Sequence, residues 1–434
     1  MFHFLTSNGC KHIPSHKEQT EHAEVKVLKP QKVYISAVDN KAMPLDNAVE
    51  VGTSVKVGTL LGIRKDFNLP VYSSVSGKVV GIVKKTSSLL NRPVNHFEIE
   101  NDMKDEVELR PTLKEGQTKD EVVELIREGG IVGLGGAGFP TYIKYKASDI
   151  DTLLVNAVEC EPYITTDFVQ GTKGDVEFFF KTVSKLLDVF GIQKAVVACK
   201  KEREELLSSL TSKAQAHNDP RIEVKGVKSV YPAGWERLLI KLALKREYNK
   251  LPSEAHVIVD NYQTIEAIGQ VLFNGKVIAN KQITVSGLVK EPANVIAPVG
   301  SLVKDIIATC GGYSKEVVTL VNGGPMCGEH LKLDDVPCLL QTNAYTVLEK
   351  KQKVANACLR CGNCSAYCPQ NLQPCEINFA AKRNDYDRCY KLGALDCINC
   401  GLCSYVCPSQ IEVTEGVKKA KLLTMLKSPL AKKK

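Results

Sequence analysis

This chain has little that would carry it across or into a membrane. None of its apolar stretches approaches the ~20 residues needed to span a bilayer. Met1-Phe2-His3-Phe4-Leu5 runs into polar sequence without a signal-peptide pattern, which predicts a reducing, cytoplasmic setting. No basic stretch is interleaved with aromatics, so nucleic-acid binding has no support. Nor is there a Ser-His-Asp or Cys-His signature of nucleophilic catalysis. Tryptophan occurs once, at Trp235. The net charge of +8 is mild and gathers near the end of the chain. There Lys418, Lys419, Lys421, Lys427 and Lys432 to Lys434 surround the apolar Leu422, Leu423, Met425 and Leu426. Such a segment suits either an anionic membrane or acidic partner, or simply a solvated helix and frayed tail.

Cysteine, by contrast, is plentiful: there are 16. In a reducing compartment cysteines are more often metal ligands or catalytic groups than disulfides. Two copies of one pattern, C-x2-C-x2-C-x3-C-P, account for Cys358, Cys361, Cys364 and Cys368 before Pro369, and for Cys397, Cys400, Cys403 and Cys407 before Pro408. This run resembles the iron–sulfur ligand pattern of two-cluster bacterial ferredoxins, in which the fourth cysteine of each run crosses to the other cluster. Two [4Fe–4S] clusters are expected, one on Cys358, Cys361, Cys364 and Cys407, the other on Cys397, Cys400, Cys403 and Cys368. Zinc favours paired C-x2-C knuckles and does not need the repeated fourth cysteine before proline. The remaining cysteines (Cys10, Cys160, Cys199, Cys310, Cys327, Cys338, Cys375, Cys389) read as small buried residues.

At 434 residues, several domains are expected. Residues 1–110 read as short strands (32–37, 54–61, 71–74, 78–83) punctuated by turns. Val51-Gly52-Thr53-Ser54-Val55-Lys56-Val57-Gly58 and Val75-Ser76-Gly77-Lys78-Val79-Val80 are similar to a lipoyl-like barrel-sandwich module. Lys41 lacks the local motif of a lipoyl carrier, so the module is expected to be structural. Residues 115–275 alternate helix and strand, predicting an α/β sandwich with a largely parallel sheet. Its clearest helix, 175–190, carries Val176, Phe179, Phe180, Val183, Leu186, Leu187 and Phe190 on one stripe. Residues 276–345 turn β-rich, and residues 346–434 read as helix, cluster, helix with the basic tail. The fold class is therefore multidomain α/β.

Gly133-Leu134-Gly135-Gly136-Ala137-Gly138-Phe139-Pro140 satisfies G-x-G-x-x-G, although a helix and Gly129-Gly130 precede it where a dinucleotide fingerprint has a strand. Four glycines let backbone N–H groups approach a phosphate or flat ring, and Thr141 onward starts a helix whose N-terminus favours an anion. A nucleotide-type ligand fits these features better than a mere tight connection does.

Gly133 to Lys144 resembles the flavin-binding loop of the NADH-oxidising, 51-kDa-type subunit of respiratory complex I. Asn156-Ala157-Val158-Glu159-Cys160-Glu161-Pro162-Tyr163 resembles that family's second signature. With the barrel-sandwich module before and the dicluster after, the whole chain resembles the RnfC family of the Rnf complex, an ion-translocating oxidoreductase that exchanges electrons between ferredoxin and NAD. The resemblance implies FMN lined by Gly133, Gly135, Gly136 and Gly138, with Lys144 near its phosphate. Asn156, Glu159, Asn261 and Thr264 would contact the flavin. Phe139 would pack against NAD(H), with Glu161 and Glu236 beside its polar groups. Residues 276–345 would be the ubiquitin-like module called SLBB, with Asn322-Gly323-Gly324-Pro325-Met326 as its hallmark turn and no separate ligand. The chain departs from the family at Trp235, where a small or acidic residue is usual, and at Asn8-Gly9-Cys10-Lys11-His12-Ile13-Pro14, a loose version of Gly-Gly-x-His-Pro-Pro. Trp235 would either stack on the flavin or fill the NADH entrance.

The implied role is an NADH dehydrogenase-type oxidoreductase subunit exchanging electrons among NAD(H), FMN and two clusters. Its partners would be the other Rnf subunits, holding it peripherally on the cytoplasmic face of the membrane. Divergent relatives of this architecture imply one alternative, a soluble protein delivering electrons to a dedicated reductase such as proline reductase; a flavin-free iron–sulfur relay or scaffold is a second.

Overall fold

The computed structural model describes residues 10–136, 138–350 and 354–428. Part of the N-terminal opening motif (Asn8, Gly9), Ala137 of the glycine loop and the lysines at 432–434 lie outside the described residues.

Alternating apolar residues pair the strands Lys32–Ser36, Arg92–Asn101, Gly77–Ser87 and Ser54–Val55 into one antiparallel sheet, with a separate hairpin of Leu60–Arg64 and Leu69–Tyr72. Val33, Ile35, Leu61, Val79, Phe97 and Ile99 fill the space between them. The single strand expected over 54–61 is two. It breaks at Gly58, whose φ of +93° and position under the Glu108 carbonyl, 2.5 Å from where a Cβ would stand, leave room only for glycine.

The next unit is a four-stranded parallel sheet in the order Ile222–Val227, Lys194–Lys200, Thr152–Asn156, Val257–Asn261. Its central strands are apolar runs buried on both faces, as parallel strands covered by helices must be. The helix Val176–Phe190 lays the expected stripe on this sheet, with Phe179 stacked on Tyr262 at 4.1 Å. A Thr118–Glu121 capping box opens the helix Lys119–Glu128, and Gly191 closes Val176–Phe190 in the left-handed region.

A six-stranded mixed sheet follows, in the order Lys26–Val27, Ala293–Pro298, Asn280–Gly287, Ala344–Glu349, Val318–Asn322, Glu329–Leu331. Its first strand comes from the N-terminal part of the chain, and Ala344–Glu349 runs across the expected boundary at 345. The C-terminal unit joins short helices to Val413–Lys427 around Leu372, Ile377, Cys389 and Val417. On that last helix Leu422, Met425 and Leu426 are 58%, 56% and 59% exposed. Among the described residues, no helix is long and apolar enough to cross a membrane.

Candidate flavin and iron–sulfur sites

In an open parallel sheet, ligands bind beyond the carboxyl ends of the strands where the strand order reverses. Here the chain moves outward from Thr152–Asn156 to the strands at 194–200 and 222–227, then returns to place Val257–Asn261 on the other side. The reversal lies between Asn156 and Asn261, which are register partners at the strand ends. The Nδ2 of Asn261 donates to Asp167 at 3.0 Å, and its Oδ1 caps the helix Tyr262–Asn274 by accepting from the Gln263 N–H at 3.0 Å. Asn156 Nδ2 donates to the Gly234 carbonyl at 2.7 Å, and its Oδ1 accepts from the Val158 N–H.

The glycine loop closes over this point. The Leu134 N–H donates to Thr264 Oγ1 at 3.0 Å, and the Gly133 N–H to the Phe139 carbonyl at 2.8 Å. Gly135 packs so tightly on Asn261 that an added Cβ would stand 2.8 Å from the Asn261 Cβ, whereas one on Gly136 would meet nothing within 4 Å. Gly138, at φ +65°, faces Gln341. Exposed glycine backbone and the start of a 13-residue helix thus converge on the switch point. That cradle suits the phosphate and flat ring of a flavin nucleotide.

The other expected residues are arranged around it. Lys144 Nζ donates to Asp260 Oδ1 at 2.9 Å and to the Val259 carbonyl at 2.7 Å, so its charge is already paired beneath the loop. Phe139 is 44% exposed, its ring edge-on to Phe67. Glu159 sits in a left-handed conformation with φ +45°. It is paired with the buried Lys17 at 3.4 Å and accepts from the Asp167 N–H at 2.8 Å. Glu236 is held by the Tyr248 hydroxyl at 3.2 Å, and burial raises its pKa against the opposing charge of Lys144. Trp235 packs beside an apolar cluster that includes Leu154, Val158 and Leu239, with the Arg237 guanidinium 5.9 Å from its ring.

Glu161, which the resemblance puts beside the polar groups of NAD(H), has its carboxylate bonded within the protein. Its two oxygens accept from the Cys327 N–H at 2.9 Å and the Met326 N–H at 3.1 Å, and the Tyr231 hydroxyl oxygen lies 3.1 Å from one of them. The carboxylate is thus committed to the turn that follows Asn322-Gly323-Gly324-Pro325, and an added Cβ on Gly324 would stand 2.1 Å from it.

Sequence reasoning missed a buried polar chain under the site. Asp167 accepts from Gln263 Nε2 at 3.4 Å, and Gln263 Oε1 accepts from the buried Lys281 Nζ at 2.6 Å. Burial, then the charge of Glu159, pushes Asp167 up to about 7. Gln263, Glu266 and Lys281 also line a cavity of about 570 Å3 between the barrel-sandwich, α/β and six-stranded units. No local motif marks these residues, which come from separate elements.

The cysteine runs interleave. One hollow of about 360 Å3 is lined by Cys358, Cys361, Cys364 and Cys407; a tighter one is lined by Cys397, Cys400, Cys403 and Cys368. Among the described residues no three His, Cys, Asp or Glu side chains converge as one ion requires. Four thiols lining one hollow form a donor set that could hold a multi-iron cluster. Of the cysteines expected to be buried fillers, Cys10, Cys199, Cys310, Cys338 and Cys389 are buried, but Cys327 is exposed. Cys375 joins the first hollow, its sulfur 3.6 Å from that of Cys358.

Three domain families match the sequence: the RnfC barrel sandwich hybrid domain over residues 5–104, the Nuo51 FMN-binding domain over 126–270 and the SLBB domain over 282–329. A component of the Na(+)-translocating ferredoxin:NAD(+) oxidoreductase complex of Acetobacterium woodii is 32% identical, covering 90% of both chains. The chain belongs to the RnfC family. The corresponding component of the proton-translocating ferredoxin:NAD(+) oxidoreductase complex of Clostridium ljungdahlii is 29% identical over 87% of this chain and 85% of its own length. The fold also resembles a chain of an NAD+-reducing [NiFe]-hydrogenase, with a TM-score of 0.51 and 19% identity over 73% of this chain and 62% of that one.

Proposed function

We propose that this protein is the electron-transfer subunit of an Rnf-type oxidoreductase, exchanging electrons among NAD(H), FMN and two [4Fe–4S] clusters. The observation that carries this reading is the glycine loop seated on Asn261 at the sheet's switch point, in one chain with two interleaved four-cysteine groups. FMN would lie on Gly133, Gly135, Gly136 and Gly138, bordered by Asn156, Glu159, Asn261 and Thr264. Bound there, it would supply the conversion between a hydride's electron pair and single electrons.

The protein's own work is positional. The Leu134–Thr264 bond holds the loop to the start of the helix Tyr262–Asn274, so the loop would meet a phosphate with little reorganisation. The Lys144–Asp260 pair fixes the underside of the loop. Phe139, exposed at the rim, would cover the nicotinamide, and Glu236 would bond its polar groups. No general base is required for hydride transfer. The ferredoxin-like C-terminal unit would take Cys358, Cys361, Cys364 and Cys407 for one cluster and Cys397, Cys400, Cys403 and Cys368 for the other. Other Rnf subunits are the natural partners, and the exposed Leu422, Met425 and Leu426 beside Lys418, Lys421 and Lys427 suit peripheral attachment through them. Anaerobic purification tests the reading: the protein should carry flavin and about eight iron atoms, and NADH should bleach the clusters. Protein lacking flavin, or bleaching only with dithionite, would defeat it.

A further inference from the structure

The two cysteine groups are not equivalent in how they face the rest of the molecule. The second group, Cys397, Cys400, Cys403 and Cys368, is held at three points, two from the α/β unit and one from Lys11 of the N-terminal segment. The Tyr231 hydroxyl donates to the Cys400 carbonyl at 2.7 Å. Arg237 Nη1 reaches Gln370 Oε1 at 3.4 Å, two residues beyond Cys368. Lys11, whose backbone pairs with Tyr231, lies 5.0 and 5.6 Å from the ring centres of Tyr367 and Tyr405. The six-stranded unit closes the same joint from the other side. Gly401 lies against the Met326 carbonyl, 2.3 Å from where its Cβ would stand, and Met326 and Cys327 are the residues whose N–H groups Glu161 gathers.

Tyr231 is also a short step from the switch point. Asn156 is bonded to Gly234, so Asn156 and Cys400 are bridged through the segment 231–234. That segment spans three Cα–Cα steps, ~11 Å at most. The first group turns the other way. Cys361 is exposed, Leu359 in the same hollow is 70% exposed, and Asn356 and Ala357 bond to Ser409 within their own unit.

We infer that the Cys397/Cys400/Cys403/Cys368 cluster is the one adjacent to the flavin, seated there by Glu161 and Tyr231, and that the Cys358/Cys361/Cys364/Cys407 cluster is the outer terminal facing a one-electron partner. This order rests on the proposed flavin and cluster assignment and adds the sequence of the two clusters to it. With both clusters and flavin bound, this placement would let the inner site relay single electrons between the flavin site and the outer one, and the protein's own residues would supply position only. Glu161 and Tyr231 are positioning residues, because they touch the backbone of the cluster loop and of the turn beside it rather than the reacting atoms.

The order is tested in the full-length chain by removing one cluster at a time. In Cys361→Ala, reduction of the remaining cluster should still speed the spin relaxation of the half-reduced flavin signal as it does in the wild type. In Cys403→Ala that enhancement should be lost, leaving the relaxation of flavin in cluster-free protein. The reverse pattern, or equal enhancement in both variants, overturns the order. A second measurement stands apart from flavin loading. Tyr231→Phe, with wild-type iron content, should shift the reduction potential of the inner cluster and leave the outer one in place; a shift confined to the outer cluster, or none, overturns the joint. A chain that binds no flavin defeats the functional reading instead, and the Tyr231→Phe titration still decides whether the joint holds the inner cluster.

Discussion

Asn156 and Asn261 stand side by side at the ends of adjacent parallel strands, with Asn261 Nδ2 3.4 Å from the Asn156 carbonyl. Asn261 also caps a helix and holds Asp167, so one side chain ties strand end, helix start and buried acid together. Asn261→Ala should cost about 1 kcal/mol of stability from the lost cap and, on the proposed reading, several-fold in flavin retention. Thermal melting and flavin fluorescence after desalting measure the two effects. Unchanged flavin retention would remove Asn261 from the site.

Gly135→Val should abolish flavin loading while iron stays at about eight per chain. The valine Cβ would stand 2.8 Å from Asn261 Cβ, so either the loop lifts or the asparagine moves, and both open the cradle. A folded variant with stoichiometric flavin would show that the loop binds something else.

Much of this architecture was legible, and the limits of that reading have physical causes. Thr152–Asn156 and Val176–Phe190 are readable because their burial is written in local apolar pattern. Cys407 lines the hollow of the first run and Cys368 that of the second, an interleaving implied by the resemblance to two-cluster ferredoxins and not by the spacing within either run. Gly58 ends a strand because of a carbonyl at Glu108, which no window around residue 58 contains. Glu161 lies within the second flavin-family signature, yet its partners are the N–H groups of Met326 and Cys327, 165 and 166 residues further on. Lys281, Gln263 and Asp167 meet only because a β-rich unit packs on an α/β unit.

Cys368→Ala should lower iron to about four per chain and remove the cluster associated with Cys397, Cys400 and Cys403, although Cys368 lies in the first run. Iron analysis with EPR of the surviving cluster reads the outcome. Loss of the cluster held by Cys358, Cys361 and Cys364 alone would contradict the crossing.

Glu236→Ala should raise the KM for NADH roughly ten-fold, the equivalent of about 1.4 kcal/mol, with flavin and iron content unchanged. Steady-state kinetics with an artificial acceptor measure this, and an unaltered KM would separate Glu236 from the nucleotide.

The buried chain predicts a pH profile. Burial and neighbouring acids raise Glu266 to about 8, and Asp167 is raised to about 7. In the folded protein both hold protons that the unfolded chain releases near pH 4. Their stabilising contribution is complete below about pH 4 and is lost as pH rises through about 7 and then 8. Lys281, lowered to about 8 by burial, opposes the trend above that point, because the folded chain gives up its proton first. The melting temperature should fall from pH 5 to 8, and Asp167→Asn should flatten the lower half of that fall. An identical slope in wild type and variant would place the titration elsewhere.

The two-residue strand Lys26–Val27 pairs in parallel with Val295 and Ile296. It is made before its partner and must wait for it until the barrel-sandwich and α/β units have been made. Closing a loop of that length costs on the order of 5 kcal/mol in chain entropy, a toll that grows only slowly with further length. The pairing therefore acts as a late clasp. A nascent chain arrested before residue 293 would hold most of its flavin cradle yet lack the sheet that locks its beginning to its second half.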